Sequence, residues 1–309
     1  MTRRRAYGLD QCPLYKLSSR KRLAYQVFGM EPAKLQRLAA NGDSNYRVFD
    51  VAQGGKPRQV ETPKPVLERV HRRLFVLLDR IEKPGYLHSG VKGRSYITNA
   101  RAHLGHVPVV KADIKKFYPS ISGARVFRFF ANVMRCSPDV SAILTKLTTF
   151  EDHIPTGSCV SQALAFFAAR PMFDDLHELA VQHDVCLTVY VDDMTFSGLQ
   201  ATPALLWKVK QAIHSHGFAY HKDRNFSANE QKLVTGVLLD GDEARVLPSR
   251  EHDMWLRFHA LAGGEIEERQ TAIARLIGSV MAAGQIEPRF KSRVRRLKAM
   301  QEKLNELAR

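Results

Sequence analysis

The sequence predicts a mixed α+β fold in which strands and helices alternate up to about residue 247 and helices alone follow. Two observations predict it: short apolar runs bounded by turn residues, and longer stretches whose apolar residues recur with the helical period. The 309 residues are 44% hydrophobic and carry a net charge of +16. This composition predicts a sizeable core and excludes general disorder.

The positive charge is concentrated at the two ends of the chain. Residues 1–37 contain nine Lys and Arg against two acidic residues, and residues 286–309 contain eight against three. Basic ends around a nearly neutral middle suggest a polyanionic partner such as nucleic acid, bound through its phosphates. A solubilising surface would explain the charge alone equally well.

Composition also argues against several other classes of protein. The four cysteines lack C-x-x-C spacing, which disfavours a disulfide framework or a zinc site. No run approaches the roughly 18 apolar residues of a membrane span, and charges interrupt the N-terminus where a secretory signal needs an apolar core. We therefore expect a cytoplasmic protein without a membrane partner.

The N-terminal third begins with helices and continues with a hairpin. Apolar spacing in the first forty residues predicts two short amphipathic helices, broken at Gly29 and Pro32. Residues 46–52 and 58–61 form a predicted hairpin around a pair of glycines. A helix then begins at Pro63 or Pro65 and continues to residue 80.

The middle of the chain alternates between strands and helices. In order, we predict a strand at 106–112, helices at 124–134, 138–147 and 158–182, strands at 185–191 and 194–197, and a helix at 202–216. Pro171 should kink or divide the long helix. A second hairpin is predicted at 233–239 and 243–247, around Asp240-Gly241, and everything after Pro248 is predicted to be helical.

Three carboxylates occupy informative positions. Asp192 and Asp193 follow one predicted strand, and Asp113 follows another. An Asp pair alone is common turn chemistry. If the strands are neighbours, however, the three carboxylates raise one another's pKa unless cations neutralise them. Mg²⁺ suits such ligands, and two ions about 3.5–4 Å apart support nucleotidyl transfer.

These segments carry a resemblance to a known family. D-I-K-K-F-Y, which begins at Asp113, and Y-V-D-D, which ends at Asp193, resemble the two catalytic motifs of bacterial retron reverse transcriptases. The resemblance covers about residues 47–239. It implies that two Mg²⁺ ions are bound by Asp113, Asp192, Asp193 and the Ile114 carbonyl, with Asp193 assisting the other two aspartates.

The family's fold is the right-hand polymerase, with an antiparallel palm sheet and an all-helical thumb. Applied to this chain, it assigns residues 1–105 to N-terminal basic helices and fingers, and residues 106–247 to the palm. A fingers-like helical insertion is expected at about 123–157 within the palm. Residues 248–309 would form the helical thumb.

The resemblance also implies contacts to a deoxynucleoside triphosphate. Tyr118 takes the place of a steric gate against the ribose 2′-hydroxyl, although a plain core aromatic is compatible with its sequence. The remaining nucleotide-binding candidates are Lys56 and Arg58 on the first hairpin, Thr156 and Gly157 in I-P-T-G, and either Lys222 or Arg224 after Gly217-Phe218. Without the aspartates, Lys56 and Arg58 would be interpreted as a solvated hairpin.

A third set of candidates is implied to bind RNA. N-A-x-x-H, from Asn99 to His103, and V-T-G, comprising Val234, Thr235 and Gly236, resemble retron elements that flank the catalytic motifs. Their alternative interpretation is structural, with Asn99 capping a helix and His103 packed in the core. Cations of the last helix complete the set: Arg289, Lys291, Arg293, Arg295, Arg296 and Lys298.

The resulting hypothesis is an RNA-directed DNA polymerase that copies a cognate structured noncoding RNA into single-stranded DNA. The family implies a multicopy RNA-DNA hybrid (msDNA), an accessory effector or toxin protein, and anti-phage defence. Thr156 and Gln162 stand where Gln and Pro are usual, a form associated with reverse transcriptases of diversity-generating retroelements, which is one alternative. A non-catalytic RNA-binding scaffold is the other, and the intact set of aspartates argues against it.

Overall fold

The computed structural model describes residues 6–53, 55–261, 263 and 266–307. In its N-terminal part, α1 (Arg20–Arg22) continues as a π-helical turn (Leu23–Phe28), and α2 spans Pro32–Ala40. Gly29 ends the first helix at φ +62°, a left-handed conformation that suits glycine, and Pro32 opens the second. Both predicted helices are therefore confirmed, together with the break between them.

The first hairpin consists of β1 (Tyr46–Gln53) and β2 (Lys56–Pro63), paired antiparallel from end to end. It is longer than predicted, and Gly55 at φ +77° forms part of its turn. The next helix, α3 (Pro65–Asp79), begins at the second of the two candidate prolines. Its buried face packs into the main core of the molecule.

Helices dominate the following segment. They are α4 (Tyr96–Arg101), then α5 (Phe117–Ser120), α6 (Gly123–Arg128), α7 (Pro138–Thr148) and α8 (Ser161–Gln182), with strand β3 (Val109–Ile114) between α4 and α5. Pro171 lies inside α8 without dividing it, so the predicted division is wrong. Phe167 and Phe173 are buried on either side, and this packing offsets the loss of one helical hydrogen bond.

A four-stranded antiparallel sheet lies at the centre of the fold, and we call it the catalytic sheet. Its order is β4 (Cys186–Tyr190), β5 (Asp193–Ser197), β3 and β6 (Tyr220–Phe226), with α9 (Pro203–Ser215) between β5 and β6 in sequence. Strand β3 extends beyond its predicted end and includes Asp113. Strand β6 was not predicted, because its sequence Y-H-K-D-R-N-F lacks an apolar alternation.

A second sheet contains β7 (Lys232–Val234), β8 (Val237–Asp240) and β9 (Glu243–Arg245), and three helices follow: α10 (Pro248–Ala260), α11 (Ile266–Ile286) and α12 (Phe290–Leu307). The C-terminal helices and the hairpin turn at Asp240-Gly241, between β8 and β9, are confirmed. The single strand predicted at 233–239 is wrong, because the chain turns at Thr235-Gly236 and forms β7 and β8. Residues of α4, the second sheet and the three helices share one hydrophobic core, separate from the main core. The expected palm boundary at residue 247 therefore does not coincide with a boundary between cores.

All four cysteines are free thiols. Within the described ranges, no helix has both the length and the apolar character needed to cross a lipid bilayer.

Candidate active site

The aspartates meet at one end of the catalytic sheet. Tyr190 pairs with Asp193 across the β4–β5 hairpin, and Asp113 pairs with Asp193 across β3 and β5. The loop between β4 and β5 consists of Val191 and Asp192, and the Ile114 N–H donates to the Asp192 carbonyl at 3.1 Å. Register and turn thus bring the three predicted carboxylates into one neighbourhood.

The turn that carries Asp192 is strained. Val191 has φ +62°, a conformation that β-branched residues rarely adopt. Backbone strain of this kind costs about 1–3 kcal/mol and persists only where the surrounding structure holds it in place. Here, the paired strands on either side hold the turn and fix the position of Asp192.

Burial makes ionisation of two of the carboxylates unfavourable. It raises the pKa of Asp192 to about 6, and the nearby Asp113 carboxylate adds to that shift. Burial also raises the pKa of Asp113, against the opposing effect of His221. Raised carboxyl pKa values in a cleft are typical of functional sites, because the charged form is stabilised only when a cation is bound.

The third carboxylate, Asp193, has a different environment. Its Oδ2 accepts a hydrogen bond from Lys111 Nζ at 3.0 Å in a largely buried ion pair. Asp113 Oδ1 and Asp193 Oδ1 both lack a hydrogen-bond partner in the described chain, and the His221 Nδ1 atom lies 3.7 Å from Asp113 Oδ1. The resemblance implies an assisting role for Asp193, and its ion pair with Lys111 is the feature that the sequence did not predict.

We tested whether this arrangement suits a divalent cation. No group of three or more His, Cys, Asp or Glu residues within the described ranges forms a preformed metal site. Asp113 and Asp192 nevertheless supply hard oxygen ligands of the kind Mg²⁺ prefers, and the Asp113 Oδ1 atom is buried and unpaired. These two residues fit a cation whose remaining ligands come from substrate and water, whereas roles for Asp193 and the Ile114 carbonyl as ligands stay predictions.

A cleft of about 950 Å³ opens beside the aspartates, large enough for a nucleotide. Hairpin β1–β2 supplies one wall, and the ends of the catalytic sheet supply the floor. Its predicted site residues are Arg58, Asp113, Tyr118, Thr156, Asp192, Asp193 and Thr235. Lys222 and Arg224 do not line it, although Lys222 is close enough to lower the pKa of Asp113.

Tyr118 lies where both interpretations of it remain possible, as a steric gate and as a core aromatic. It packs against the main core and also lines the cleft. Burial raises its pKa to about 12, and the Asp192 carboxylate adds to the shift. Arg58 opposes the pKa shifts of both Tyr118 and Asp192, so its charge reaches into the same cleft, whereas the Lys56 side chain lies outside the described part of the structure.

Gly157 holds the first hairpin against the segment that precedes α8. Its N–H donates to the Glu61 carbonyl at 3.1 Å, and a Cβ atom here would lie 2.7 Å from that oxygen. Thr156 donates through its N–H and its hydroxyl to Glu61 Oε2, each at 2.8 Å. Gly157, predicted as a nucleotide-binding residue, therefore makes its close approach to the hairpin backbone.

Ser161 and Gln162, four and five residues after Gly157, also have structural partners. Ser161 Oγ donates to the Pro155 carbonyl at 2.5 Å, which fastens the segment to the start of α8. The Gln162 amide packs beside Gly90, where an added Cβ would lie 3.2 Å from Nε2. Ser158 does not cap α8, because its hydroxyl accepts from the Val160 N–H at 3.3 Å and contacts His71.

The expected RNA contacts of Asn99 and His103 require correction. Both side chains are completely buried, so neither presents a surface to RNA. Hydrogen bonds of 2.7 Å join the His103 ring to Ser197 and Thr188, and burial lowers the pKa of His103 to about 3. The core interpretation of His103 is correct, whereas the helix cap is Ser95 and not Asn99.

The V-T-G triplet forms the turn between β7 and β8. Thr235 and Gly236 both have positive φ, at +44° and +80°, as a two-residue hairpin turn of type I′ requires. Asn99 Nδ2 donates to Thr235 Oγ1 at 3.4 Å, so the two retron-like elements contact each other. Val234 is buried, and of the triplet only Thr235 lines the cleft.

The predicted RNA-binding cations in α12, and Arg289 directly before it, fall into two groups. Arg289 pairs with Glu251 and Glu287, and Arg293 also reaches Glu251. The four other predicted contacts form no ion pair within the described ranges: Lys291, Arg295, Arg296 and Lys298. The second group is better suited to bind an external polyanion, because its charge is not already balanced.

Sequence reasoning missed three residues of the site: Lys111, Glu61 and His221. Lys111 and Asp113 lie two apart on one strand and therefore on one face, and a lysine within an apolar strand was the available signal. His221 could be placed opposite Asp113 only after β6 was known. Glu61 carried no comparable signal, since charged residues are common in hairpins.

Comparisons with known proteins were made by family, sequence and structure, and no protein-family model matches the chain. It is 34% identical over 178 residues to the retron Se72 reverse transcriptase of Salmonella heidelberg, covering 55% of this chain and 46% of that protein. It is 26% identical over 276 residues to the retron Mx162 reverse transcriptase of Myxococcus xanthus, covering 77% and 56%. The chain thus spans about half the length of these curated relatives. A foamy viral protease-reverse transcriptase solved with double-stranded DNA aligns over 82% of this chain and 38% of its own, with a TM-score of 0.49 and 14% identity.

Proposed function

Because the chain is a homologue of retron reverse transcriptases, we propose that it is an RNA-directed DNA polymerase of retron type. It copies part of a cognate structured RNA into single-stranded DNA and leaves the two joined as msDNA. In this proposal hairpin β1–β2 belongs to the fingers, the catalytic sheet to the palm, and α10–α12 to the thumb. An accessory effector acts with it in defence against phage.

The observation that carries this proposal is the pair Asp113 and Asp192 beside a nucleotide-sized cleft. Their raised pKa values and the unpaired Asp113 Oδ1 are the features expected of carboxylates that await cations. A scaffold that only bound RNA would gain nothing from two partly buried, mutually repelling carboxylates, one of them on a strained turn. The enzyme hypothesis accounts for both features.

The chain's own residues would position the reactants. Asp113 and Asp192 would hold two Mg²⁺ ions, and the chemistry that such ions would supply is activation of the primer hydroxyl and stabilisation of the leaving pyrophosphate. Arg58 offers its guanidinium to the triphosphate of the incoming deoxynucleotide. Glu61, Thr156 and Gly157 keep the hairpin that carries Arg58 at a fixed distance from the aspartates.

Tyr118→Ala tests the nucleotide site. Removal of the ring from the cleft should raise incorporation of ribonucleotides relative to deoxynucleotides by roughly ten- to a hundredfold, because a steric block to the 2′-hydroxyl is lost. The measurement is single-nucleotide extension with each triphosphate. Tyr25→Ala is the control, since Tyr25 is half exposed and bonds to Glu31 outside the cleft. Unchanged discrimination would leave Tyr118 as a core aromatic only.

Replacement of Arg295 and Arg296 by alanine tests the thumb. We expect weaker RNA binding and a salt dependence, measured as log Kd against log salt, that is shallower by up to about two, because each lost phosphate contact removes about one released counterion. Lys146→Ala with Lys208→Ala removes equal charge elsewhere and should leave that slope unchanged. Equal slopes for the two double variants would mean that Arg295 and Arg296 do not contact RNA phosphates and serve only as a solubilising surface.

A further inference from the structure

Lys111 is a largely buried cation inside the catalytic sheet. It lies on β3, two residues before Asp113, with Thr195 of β5 and Arg224 of β6 as its cross-strand partners. Only 14% of its side chain is exposed. A lysine placed so deeply needs compensation for its lost hydration, since desolvation of an ammonium group costs several kcal/mol.

Two oxygens supply that compensation. Lys111 Nζ donates to Asp193 Oδ2 at 3.0 Å and to the Leu233 carbonyl at 3.2 Å. The Asp193 side chain is 22% exposed, so the pair is screened far less than a surface pair such as Arg72 and Glu68, whose side chains are 70% and 39% exposed. The second oxygen of this carboxylate, Asp193 Oδ1, has no hydrogen-bond partner in the described chain.

The second hydrogen bond connects two sheets. Leu233 lies in β7, directly before the Val234-Thr235-Gly236 turn, and Thr235 lines the cleft. Thr235 Oγ1 in turn donates to the Tyr96 carbonyl at 2.8 Å, which links the same turn to α4. Lys111 therefore joins the aspartate turn of the catalytic sheet to the second sheet.

We propose that Lys111 is a positioning residue: it neutralises Asp193 and ties it to β7, which leaves Asp113 and Asp192 as the carboxylates that hold the cations. This inference rests on the proposed polymerase function. It assigns Asp193 the role of counter-ion to Lys111 and not that of a third ligand. Lys111 and Asp193 then act on the cation site as one electrically neutral unit.

If Lys111 and Asp193 form a neutral unit, their charges have opposite effects on the affinity of the site for a cation, and these effects cancel. Lys111→Met removes a positive charge near Asp113 and should tighten Mn²⁺ binding about tenfold, whereas Asp193→Asn should weaken it about tenfold, as Coulomb interactions at these distances predict. The double variant should bind Mn²⁺ within about twofold of wild type. Polymerisation by Lys111→Met should nevertheless fall, because the aspartate turn loses its tie to β7.

The experiment is a titration of the full chain with Mn²⁺ alone, followed by electron paramagnetic resonance, for wild type, both single variants, the double variant and Asp192→Asn. A double variant as weak as Asp193→Asn would overturn the proposal, since Asp193 would then be a ligand in its own right. Unchanged Mn²⁺ binding in Asp192→Asn would instead contradict the proposed function. If Lys111→Met does not fold, Lys111→Arg replaces it in the titration. This variant keeps the positive charge, so we expect it to bind Mn²⁺ with the affinity of wild type. Tighter or weaker Mn²⁺ binding by Lys111→Arg would count against the proposal.

Discussion

Asp192→Asn should reduce DNA synthesis by roughly a thousandfold or more and at the same time stabilise the metal-free protein at neutral pH. We expect activity to fall because a neutral amide cannot replace the carboxylate that is proposed to hold two cations. Stability rises because the folded chain no longer contains a buried carboxylate that repels Asp113. Opposite changes in activity and stability separate this effect from simple misfolding.

The pH dependence of unfolding follows from the same carboxylate. Its pKa is about 6 in the folded protein and 3.8 ordinarily, so between pH 4 and pH 6 the native state keeps a proton that the unfolded chain releases. Stability of the metal-free wild type therefore falls as pH rises through this window, by up to about 3 kcal/mol. Asp192→Asn should remove that contribution and raise the Tm at pH 7 by about 5 °C.

Thermal unfolding from pH 4 to pH 7.5, in the presence of a chelator, measures this effect. Asp242→Asn is the matched control, because Asp242 is exposed in the turn before β9 and its replacement should leave the pH profile unchanged. Equal Tm values for Asp192→Asn and wild type at pH 7 would show that the Asp192 carboxylate is not destabilised in the folded protein.

Gly157→Ala should lower polymerisation by about a hundredfold, since displacement of a positioning element by about 1 Å has effects of that size. The added Cβ would meet the Glu61 carbonyl and the Thr62 hydroxyl at 2.7 Å, and Val60 at 2.8 Å. Two backbone segments must separate to relieve this contact, and the hairpin carries Arg58 away from Asp192. Overpacking of this kind costs about 1–3 kcal/mol in stability.

Gly278→Ala is the control for this substitution. Gly278 lies within α11, where an added Cβ has no neighbour within 4 Å, so alanine should stabilise the helix by about 0.5–1 kcal/mol. Steady-state extension should show an increased KM for deoxynucleotides in Gly157→Ala and wild-type constants in Gly278→Ala. Wild-type constants in both variants would mean that the hairpin does not depend on Gly157.

The elements that could be predicted from the sequence are those whose pattern of residues is local. The strands that carry the aspartates are apolar runs, and the first hairpin contains its own glycine turn, so these elements could be predicted. Strand β6 could not, because its side chains are largely polar or exposed and its pairing with β3 is a long-range contact. Pro171 does not divide α8 for a similar reason, since packing on both sides of the helix decided the outcome.

Residue type and motif indicated which side chains lie near the candidate site. They were less reliable in predicting what each of these side chains contacts. His103 was found through a motif, but only the fold shows that it lies buried between Thr188 and Ser197. Asp193 was grouped with the other carboxylates because it is adjacent in sequence, whereas its ion pair with Lys111 separates it from them. Such partnerships depend on strand register, which composition and spacing do not specify.

The nucleic acid that copurifies with the protein tests the central proposal most directly. Wild type should carry a short single-stranded DNA joined to RNA, and Asp192→Asn, purified in the same way, should carry RNA without DNA. DNA of equal amount in both preparations, or cellular RNA alone in both, would contradict the assignment of this chain as a retron-type DNA polymerase.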